Sequence, residues 1–323
     1  MATQSAAAAH WHGKPYYSLD AWCKNTYGEK CYKIALDAGF TCPNRDGTLG
    51  SGGCIFCSKG GSGEFTVEFK ENDLGAQLAA GLSLFHNKKT GNRFIAYFQA
   101  YTNTYAPIDR LRNIYETALK NPSVCGISIA TRPDCVGYEV CELLAALKRE
   151  YPDKFIWIEL GLQTIHEKTA ALLQRGYELP CFEDAFRRLT ATTIPVIVHI
   201  ILGLPGEDTE HILATISYLN RLMPFGIKLQ LLHLLKETEL AALYEREPFH
   251  LYTLDEYLEV LISCIERLSP GIVIHRVTGD GPKELLLAPL WSLDKRTVLN
   301  RLHAQMKLQH AYQGRSYHDE PGK

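Results

Sequence analysis

Apolar runs and amphipathic segments alternate through the middle of the chain. The apolar runs are short, nearly continuous and rich in β-branched residues, which is typical of parallel strands buried on both faces. They cover residues 94–100, 124–130, 155–161, 195–202 and 226–232. Helical patterns cover residues 107–120, 138–151, 166–175, 180–190 and 209–223, and residues 30–40 contain an earlier strand. This alternation predicts a parallel α/β fold.

The predicted strand ends carry polar segments. Two architectures fit the alternation, an open doubly wound sheet and a barrel, and in both of them ligands gather at the carboxyl ends of the strands. Polar residues occur at these ends in segments 99–103, 131–134, 159–163 and 203–207. We therefore expect the functional site at this edge of the sheet.

The chain after residue 236 continues with elements of the same kinds. Helical patterns cover 238–247 and 254–268, a strand-like run covers 271–277, and an amphipathic helix follows. No internal repeat and no linker rich in Pro, Gly or Ser interrupts the chain. We therefore predict an N-terminal extension over 1–33, one core over 34–280 and a C-terminal helical extension over 281–323 that packs on the core.

Composition agrees with a soluble globular enzyme. Of the 323 residues, 46% are hydrophobic and 22% are charged, and no apolar run is long enough to cross a membrane. The start of the chain has a run of four alanines but no basic segment before it, so it does not resemble a signal peptide. These features predict a cytoplasmic protein.

Charge is distributed unevenly along the chain. The formal net charge of −2 gives no overall basic field, which weighs against a nucleic-acid partner. Between residues 291 and 315, however, only Asp294 opposes a series of cations, namely Lys295, Arg296, Arg301, Lys307 and Arg315. This stretch is either a solvated terminal helix or a face that contacts phosphates.

Three of the ten cysteines lie in one polar, glycine-rich segment, FTCPNRDGTLGSGGCIFCSKGG. Cys42, Cys54 and Cys57 would bind three irons of a 4Fe–4S cluster and leave the fourth iron open to a cofactor or substrate. Phe56 would cover one side of that ligand, or simply pack. A structural zinc site is the alternative, but it needs a fourth ligand and usually a second CxxC pair. We therefore favour the three-thiolate cluster.

Further motifs follow the cysteine segment in a fixed order. They are Thr131-Arg132-Pro133-Asp134, then Glu159-Leu160-Gly161-Leu162-Gln163 with Arg175-Gly176, then residues 199–208 (HIILGLPGED), and Arg276-Val277 with Asp280. Together with the long gap between the first two cysteines, this set resembles the radical S-adenosylmethionine (SAM) superfamily over residues 34–280. The chain looks like a stand-alone bacterial family related to the elongator catalytic subunit.

The resemblance implies a fold, cofactors and partners. The fold would be a partial (β/α)6-type TIM barrel with a C-terminal α/β extension. The cofactors would be a 4Fe–4S cluster and SAM, from which a 5′-deoxyadenosyl radical would be generated. The implied substrate is tRNA, in which 5-carboxymethylaminomethyluridine at the wobble position becomes 5-aminomethyluridine. The implied electron donor is a one-electron reductant of the flavodoxin or ferredoxin type.

The resemblance also implies roles for residues at the strand ends. Gln99 would hold the SAM amino group and Arg132 the SAM carboxylate, Glu159 and Gln163 would reach ribose hydroxyls, and Leu204 would wall the adenine. A salt bridge between Glu159 and Arg132 is the structural alternative, and Glu207 would cap the next helix. Substrate contacts are expected at the later strand ends, namely His233, Lys236, Arg276, Asp280 and Lys283.

Two other functions stay open at this point. A radical SAM enzyme that acts on a small molecule or peptide would suit the nearly neutral net charge. A non-catalytic zinc-binding module would suit the cysteine segment alone.

Overall fold

The computed structural model describes residues 10–66, 74–85, 92–279 and 281–318. Its strands are β1 (Cys31–Leu36), β2 (Arg93–Phe98), β3 (Val124–Thr131), β4 (Phe155–Gln163), β5 (Val196–Leu202), β6 (Gly226–Leu231), β7 (Leu234–Leu235), β8 (Val273–Arg276) and β9 (Leu286–Ala288). Its α-helices are α1 (Leu19–Tyr27), α2 (Leu74–Ser83), α3 (Ile108–Leu119), α4 (Tyr138–Glu150), α5 (Glu167–Leu172), α6 (Leu179–Ala191), α7 (Thr209–Leu222), α8 (Glu239–Arg246), α9 (Leu254–Arg267) and α10 (Lys295–Leu308).

The main sheet of the described residues has seven strands in the order β1-β2-β3-β4-β5-β6-β8. Strands β1 to β4 pair in parallel with their neighbours, and β6 pairs in parallel with β8. The order follows the sequence without the reversal that marks a doubly wound sheet. The parallel α/β prediction is confirmed, and the strand order is that of a partial barrel.

Burial explains why the apolar runs form strands. Seven of the eight residues of β3 and eight of the nine residues of β4 are buried, so neither strand has a solvated face. Continuous apolar sequence is what such strands require. One boundary differs from the expectation. Strand β4 continues to Gln163, so Glu159 lies inside the strand rather than at its end.

Side chains at the helix starts satisfy free backbone N–H groups. Thr253 and Glu256 form a capping box at α9, and Asp208 accepts a hydrogen bond from the backbone of His211 at α7. The expectation that Glu207 caps α7 is therefore wrong. Glu207 instead accepts a hydrogen bond from the Thr164 hydroxyl at 2.6 Å.

The chain divides into two compact units, one of segments 1–26, 163–173 and 198–323 and the other of segments 27–162 and 174–197. The first unit contains a short antiparallel pair, β7 with β9, which the sequence pattern did not predict. The second unit contains the cysteine segment. The predicted boundaries at residues 33 and 280 stay predictions. None of the described helices has the length and apolar character to span a membrane.

Candidate active site

The cysteine segment follows β1 and folds back on itself through backbone hydrogen bonds. The carbonyl of Cys42 accepts from the amides of Arg45 (2.8 Å) and Asp46 (3.1 Å), and the Cys54 carbonyl accepts from the Cys57 amide (2.9 Å). The two ends of the segment are joined where the Gly53 amide donates to the carbonyl of Asn44 (2.8 Å). Two tight turns therefore present the three cysteines from one compact loop.

The three thiols influence one another electrostatically. Burial, together with the neighbouring Cys57 and Cys42, raises the pKa of Cys54 to about 12, although Arg132 acts in the opposite direction. Burial also raises the pKa of Cys57, and Arg45 opposes that increase.

This arrangement fits a cluster ligated by three thiolates. In the described part of the chain, no group of three His, Cys, Asp or Glu side chains converges on a point that would hold one metal ion. A 4Fe–4S cluster does not need such convergence, since each thiolate binds a different iron. The Asn44 amide also points at the Cys54 sulfur over 3.6 Å, as a donor to a ligating sulfur does.

Arg132 links the end of β3 to the segment after α5. Its guanidinium makes two hydrogen bonds to Asp134, at 3.0 and 2.8 Å, and a third to the carbonyl of Arg175 at 2.9 Å. It also lies over the ring of Tyr177, with 4.9 Å between the guanidinium carbon and the ring centroid. One edge of the planar fork is thus engaged with Asp134, and the expected contact with the SAM carboxylate stays a prediction.

Gly176 lies where the cysteine loop meets this arginine. Its φ is +81°, and a Cβ there would come within 2.6 Å of the Asn44 side-chain oxygen and 3.2 Å of an Arg132 nitrogen. The same Asn44 amide donates to the carbonyls of Gln174 (2.9 Å) and Arg175 (3.2 Å). Only glycine leaves room for these hydrogen bonds beside the loop.

We expect Gly176→Ala to lower the free energy of unfolding by about 2 kcal/mol, because it adds left-handed strain and displaces Asn44. Iron uptake on anaerobic reconstitution should fall as well. The matched control is Gly75→Ala in α2, where a Cβ meets nothing within 4 Å and alanine favours the helix. Denaturant unfolding and iron analysis measure both effects. Unchanged stability and iron content in Gly176→Ala would contradict this account of the loop.

Glu159 lies at the centre of a buried polar group. It is 1% exposed, and its Oε1 accepts hydrogen bonds from the Lys33 ammonium at 2.5 Å and the Ser128 hydroxyl at 2.6 Å. The alternative of a salt bridge to Arg132 is therefore wrong, because Lys33 of β1 supplies the cation. The contact of Glu159 with ribose stays a prediction.

The remaining residues proposed for the cofactor lie in different surroundings. The Gln99 amide donates to the carbonyl of Ser62 at 2.6 Å, and Phe56 is half-buried within the CxxC turn. Gln163 ends β4 with a φ of 61°, and Leu204 is 2% exposed. The roles of these four residues stay predictions.

Three side chains of the first unit lie close to one another near the late strands. The His233 ring is within hydrogen-bond distance of the Ser292 hydroxyl (3.1 Å), and burial together with Arg276 and Lys295 lowers its pKa to about 4. Loss of hydration and the same Arg276 also lower the pKa of Lys295. His233 is therefore neutral at pH 7, whereas two cations face each other beside it. Sequence analysis missed Lys295 here, because it had been placed only in the basic terminal stretch.

The other residues proposed for the substrate are less concentrated. Lys236 is exposed and donates to the carbonyl of Glu284 at 2.8 Å, and Lys283 is also exposed. Asp280 lies outside the described residues. These three roles stay predictions.

The basic terminal stretch is partly neutralised. Arg301 pairs with Asp255, and Arg315 pairs with Glu266 at 2.9 Å. Asp294 caps α10 by accepting from the Thr297 amide at 3.0 Å. Acidic residues from outside the stretch therefore oppose two of its cations. Lys295, Arg296 and Lys307 are exposed.

Comparison with known sequences identifies the class of protein. The profile described as "Radical SAM superfamily" matches residues 42–219, and that of the "Radical_SAM C-terminal domain" matches residues 224–308. The chain therefore belongs to the radical SAM superfamily, whose enzymes use a 4Fe–4S cluster and SAM. The first match begins at Cys42 and includes all three cysteines of the loop. Membership in this superfamily favours the cluster over the zinc module.

The chain is also similar to individual proteins of known sequence or structure. The chain is similar to protein YtqA of Bacillus subtilis, with 41% identity over 94% of this chain and 93% of that protein. It is also similar to the tRNA uridine(34) acetyltransferase of Methanocaldococcus infernus, with 25% identity over 56% of this chain and 33% of that protein. Among solved structures, the archaeal Elp3 of M. infernus superposes with a TM-score of 0.64 at 16% identity, covering 88% of this chain and 64% of that one. This likeness shows a shared fold.

Proposed function

We propose that the chain is a tRNA-modifying radical SAM enzyme that converts 5-carboxymethylaminomethyluridine at the wobble position to 5-aminomethyluridine. The observation that carries this proposal is the similarity to a protein named for uridine 34 of tRNA, across 56% of the chain. The motifs at the strand ends and the cations near the late strands support it.

Residues whose contacts are described above would bind the cluster and SAM. Cys42, Cys54 and Cys57 would bind three irons, and Arg132 would orient the carboxylate of SAM. Bound at a reduced cluster, SAM supplies a 5′-deoxyadenosyl radical that removes a hydrogen atom from a substrate carbon.

The substrate's carboxymethyl group requires a cationic partner. Burial and the neighbouring Arg276 lower the pKa of Lys295. An anion bound beside these two cations would offset their repulsion and favour the charged form of the lysine. The neutral His233 would add a hydrogen bond without a further charge. These groups would thus distinguish a carboxymethylated uridine from one that lacks the carboxylate.

The proposal extends to partners and location. Exposed cations at Arg296 and Lys307 would contact phosphates of tRNA. A small flavodoxin or ferredoxin in the cytoplasm would supply the single electron that the cluster requires.

Nucleoside analysis of tRNA from a deletion strain tests this reaction. We expect 5-carboxymethylaminomethyluridine to accumulate and 5-aminomethyluridine, with anything derived from it, to disappear. Wild-type protein expressed in that strain should restore the profile, whereas Cys54→Ala should not. An unchanged nucleoside profile in the deletion strain would refute the proposed reaction.

Binding to tRNA provides a second measurement that also tests the alternative. About two phosphate contacts should weaken the affinity roughly 10-fold between 50 and 200 mM salt. The ion pairs of Arg301 and Arg315 are the observation that favours a small-molecule or peptide substrate, because they leave fewer cations for phosphates. Absence of tRNA binding, or affinity that does not change with salt, would support that alternative.

A further inference from the structure

Arg45 lies between Cys42 and Cys54 in the sequence, and its side chain contacts the backbone of Cys57. One nitrogen of its guanidinium, Nη2, donates to the carbonyl of Cys57 at 3.1 Å and to the carbonyl of Ser58 at 2.5 Å. Because Arg45 also donates its backbone amide to the Cys42 carbonyl at 2.8 Å, a single residue connects both ends of the cysteine loop.

The surroundings hold this guanidinium in place. It lies over the ring of Tyr101, with 5.8 Å between the guanidinium carbon and the ring centroid. Tyr101 is itself fixed, since its hydroxyl donates to the carbonyl of Lys59 at 2.7 Å and its amide donates to that of Gly61 at 2.9 Å. Gly53 closes the remaining side. Its φ is +84°, and a Cβ there would lie 2.9 Å from the Arg45 Nε atom.

The charge of Arg45 faces a cluster ligand. Besides its two carbonyl contacts, the guanidinium opposes the increase that burial causes in the pKa of the Cys57 thiol. A fixed cation beside a ligating sulfur stabilises the more negative, reduced state of a cluster, and hydrogen bonds to the sulfurs act in the same direction.

We propose that Arg45 is a positioning residue that clamps the cysteine loop and raises the reduction potential of the cluster through the charge it holds against Cys57. Arg45 would act on the residues that bind iron and would not bind iron itself. It depends on the cluster of the superfamily and is independent of the tRNA substrate.

Potentiometric titration of the anaerobically reconstituted full chain, followed by electron paramagnetic resonance, tests this proposal. Arg45→Met removes the charge and keeps much of the side-chain volume. At a fixed solution potential, the ratio of reduced to oxidised cluster should fall about tenfold, which corresponds to about 59 mV for a one-electron couple. Arg45→Lys keeps the charge and should retain most of the wild-type potential. Arg187→Met, at an exposed arginine on α6, is the control and should change nothing.

Two results would overturn the proposal. The first is a wild-type potential in cluster-loaded Arg45→Met. The second is an equal shift in Arg45→Lys and Arg45→Met, because the charge would then be irrelevant. If Arg45→Met does not retain iron, Gly53→Ala decides instead. This variant keeps the arginine but pushes the guanidinium away from Cys57, so a negative shift is expected and a wild-type potential contradicts the proposal.

Discussion

Substitution of Cys54 by alanine should abolish iron binding and SAM cleavage while the chain stays folded. The reason is that three thiolates would hold the cluster, and loss of one would leave two irons without protein ligands. Anaerobic reconstitution should give about four irons per chain in the wild-type protein and close to none in the variant. Methionine and 5′-deoxyadenosine formed on reduction should fall to background.

The matched control is Cys181→Ala in α6. Cys181 is also half-buried and belongs to the same compact unit, but it lies outside the cysteine loop. Its substitution should leave iron content and SAM cleavage close to wild type. Retention of a full cluster in Cys54→Ala, or zinc in place of iron in the wild-type chain, would contradict the assignment of the loop.

Replacement of Lys33 by methionine should cause a large loss of stability. Lys33 is 20% exposed, whereas its partner Glu159 is fully buried, so the substitution removes a cation that pairs with a carboxylate in the sheet interior. Breaking such a pair from one side costs about 3 kcal/mol. Urea unfolding of the iron-free chain measures this loss without interference from the cluster.

Two further variants separate the charge from the packing. Adding Glu159→Gln to Lys33→Met removes the buried carboxylate charge, so the double variant should be more stable than Lys33→Met alone. Lys120→Met, which breaks an exposed pair with Glu116, should cost less than about 0.5 kcal/mol. If Lys33→Met is no more destabilising than Lys120→Met, the buried pair has no special role in stability.

Local patterns predicted the elements but not their long-range contacts. The apolar runs at 124–130 and 155–161 became β3 and β4 because continuous hydrophobicity is a local property that burial on both faces demands. The cysteine spacing likewise predicted the loop at the expected place after β1. Glu159 belongs to the apolar run 155–161 and also begins the polar segment 159–163, which was expected at the strand end but lies within β4.

The sequence analysis missed these contacts for one common reason. Lys33 and Glu159 are 126 positions apart, and Arg276 is 19 positions before Lys295, so no periodicity relates the members of either pair. Arg45 was one residue of a polar loop, and its contact with the far end of that loop depends on the turn that Gly53 makes. Such partners become visible only when the chain has folded.

The hydrogen bond between Lys33 and Glu159 also serves as a measure of curvature. These residues belong to β1 and β4, which a flat sheet would hold about 14 Å apart across two intervening strands. The ring centroid of Tyr97 in β2 lies 4.5 Å from the Lys33 ammonium, and the Ser128 hydroxyl of β3 donates to Glu159. All four strands therefore direct a side chain to the same place. The two long side chains meet at 2.5 Å across the intervening strands, and a bend of the first four strands towards this face shortens the distance that they span. The inner face of this bend is therefore the one that carries Lys33, Tyr97, Ser128 and Glu159.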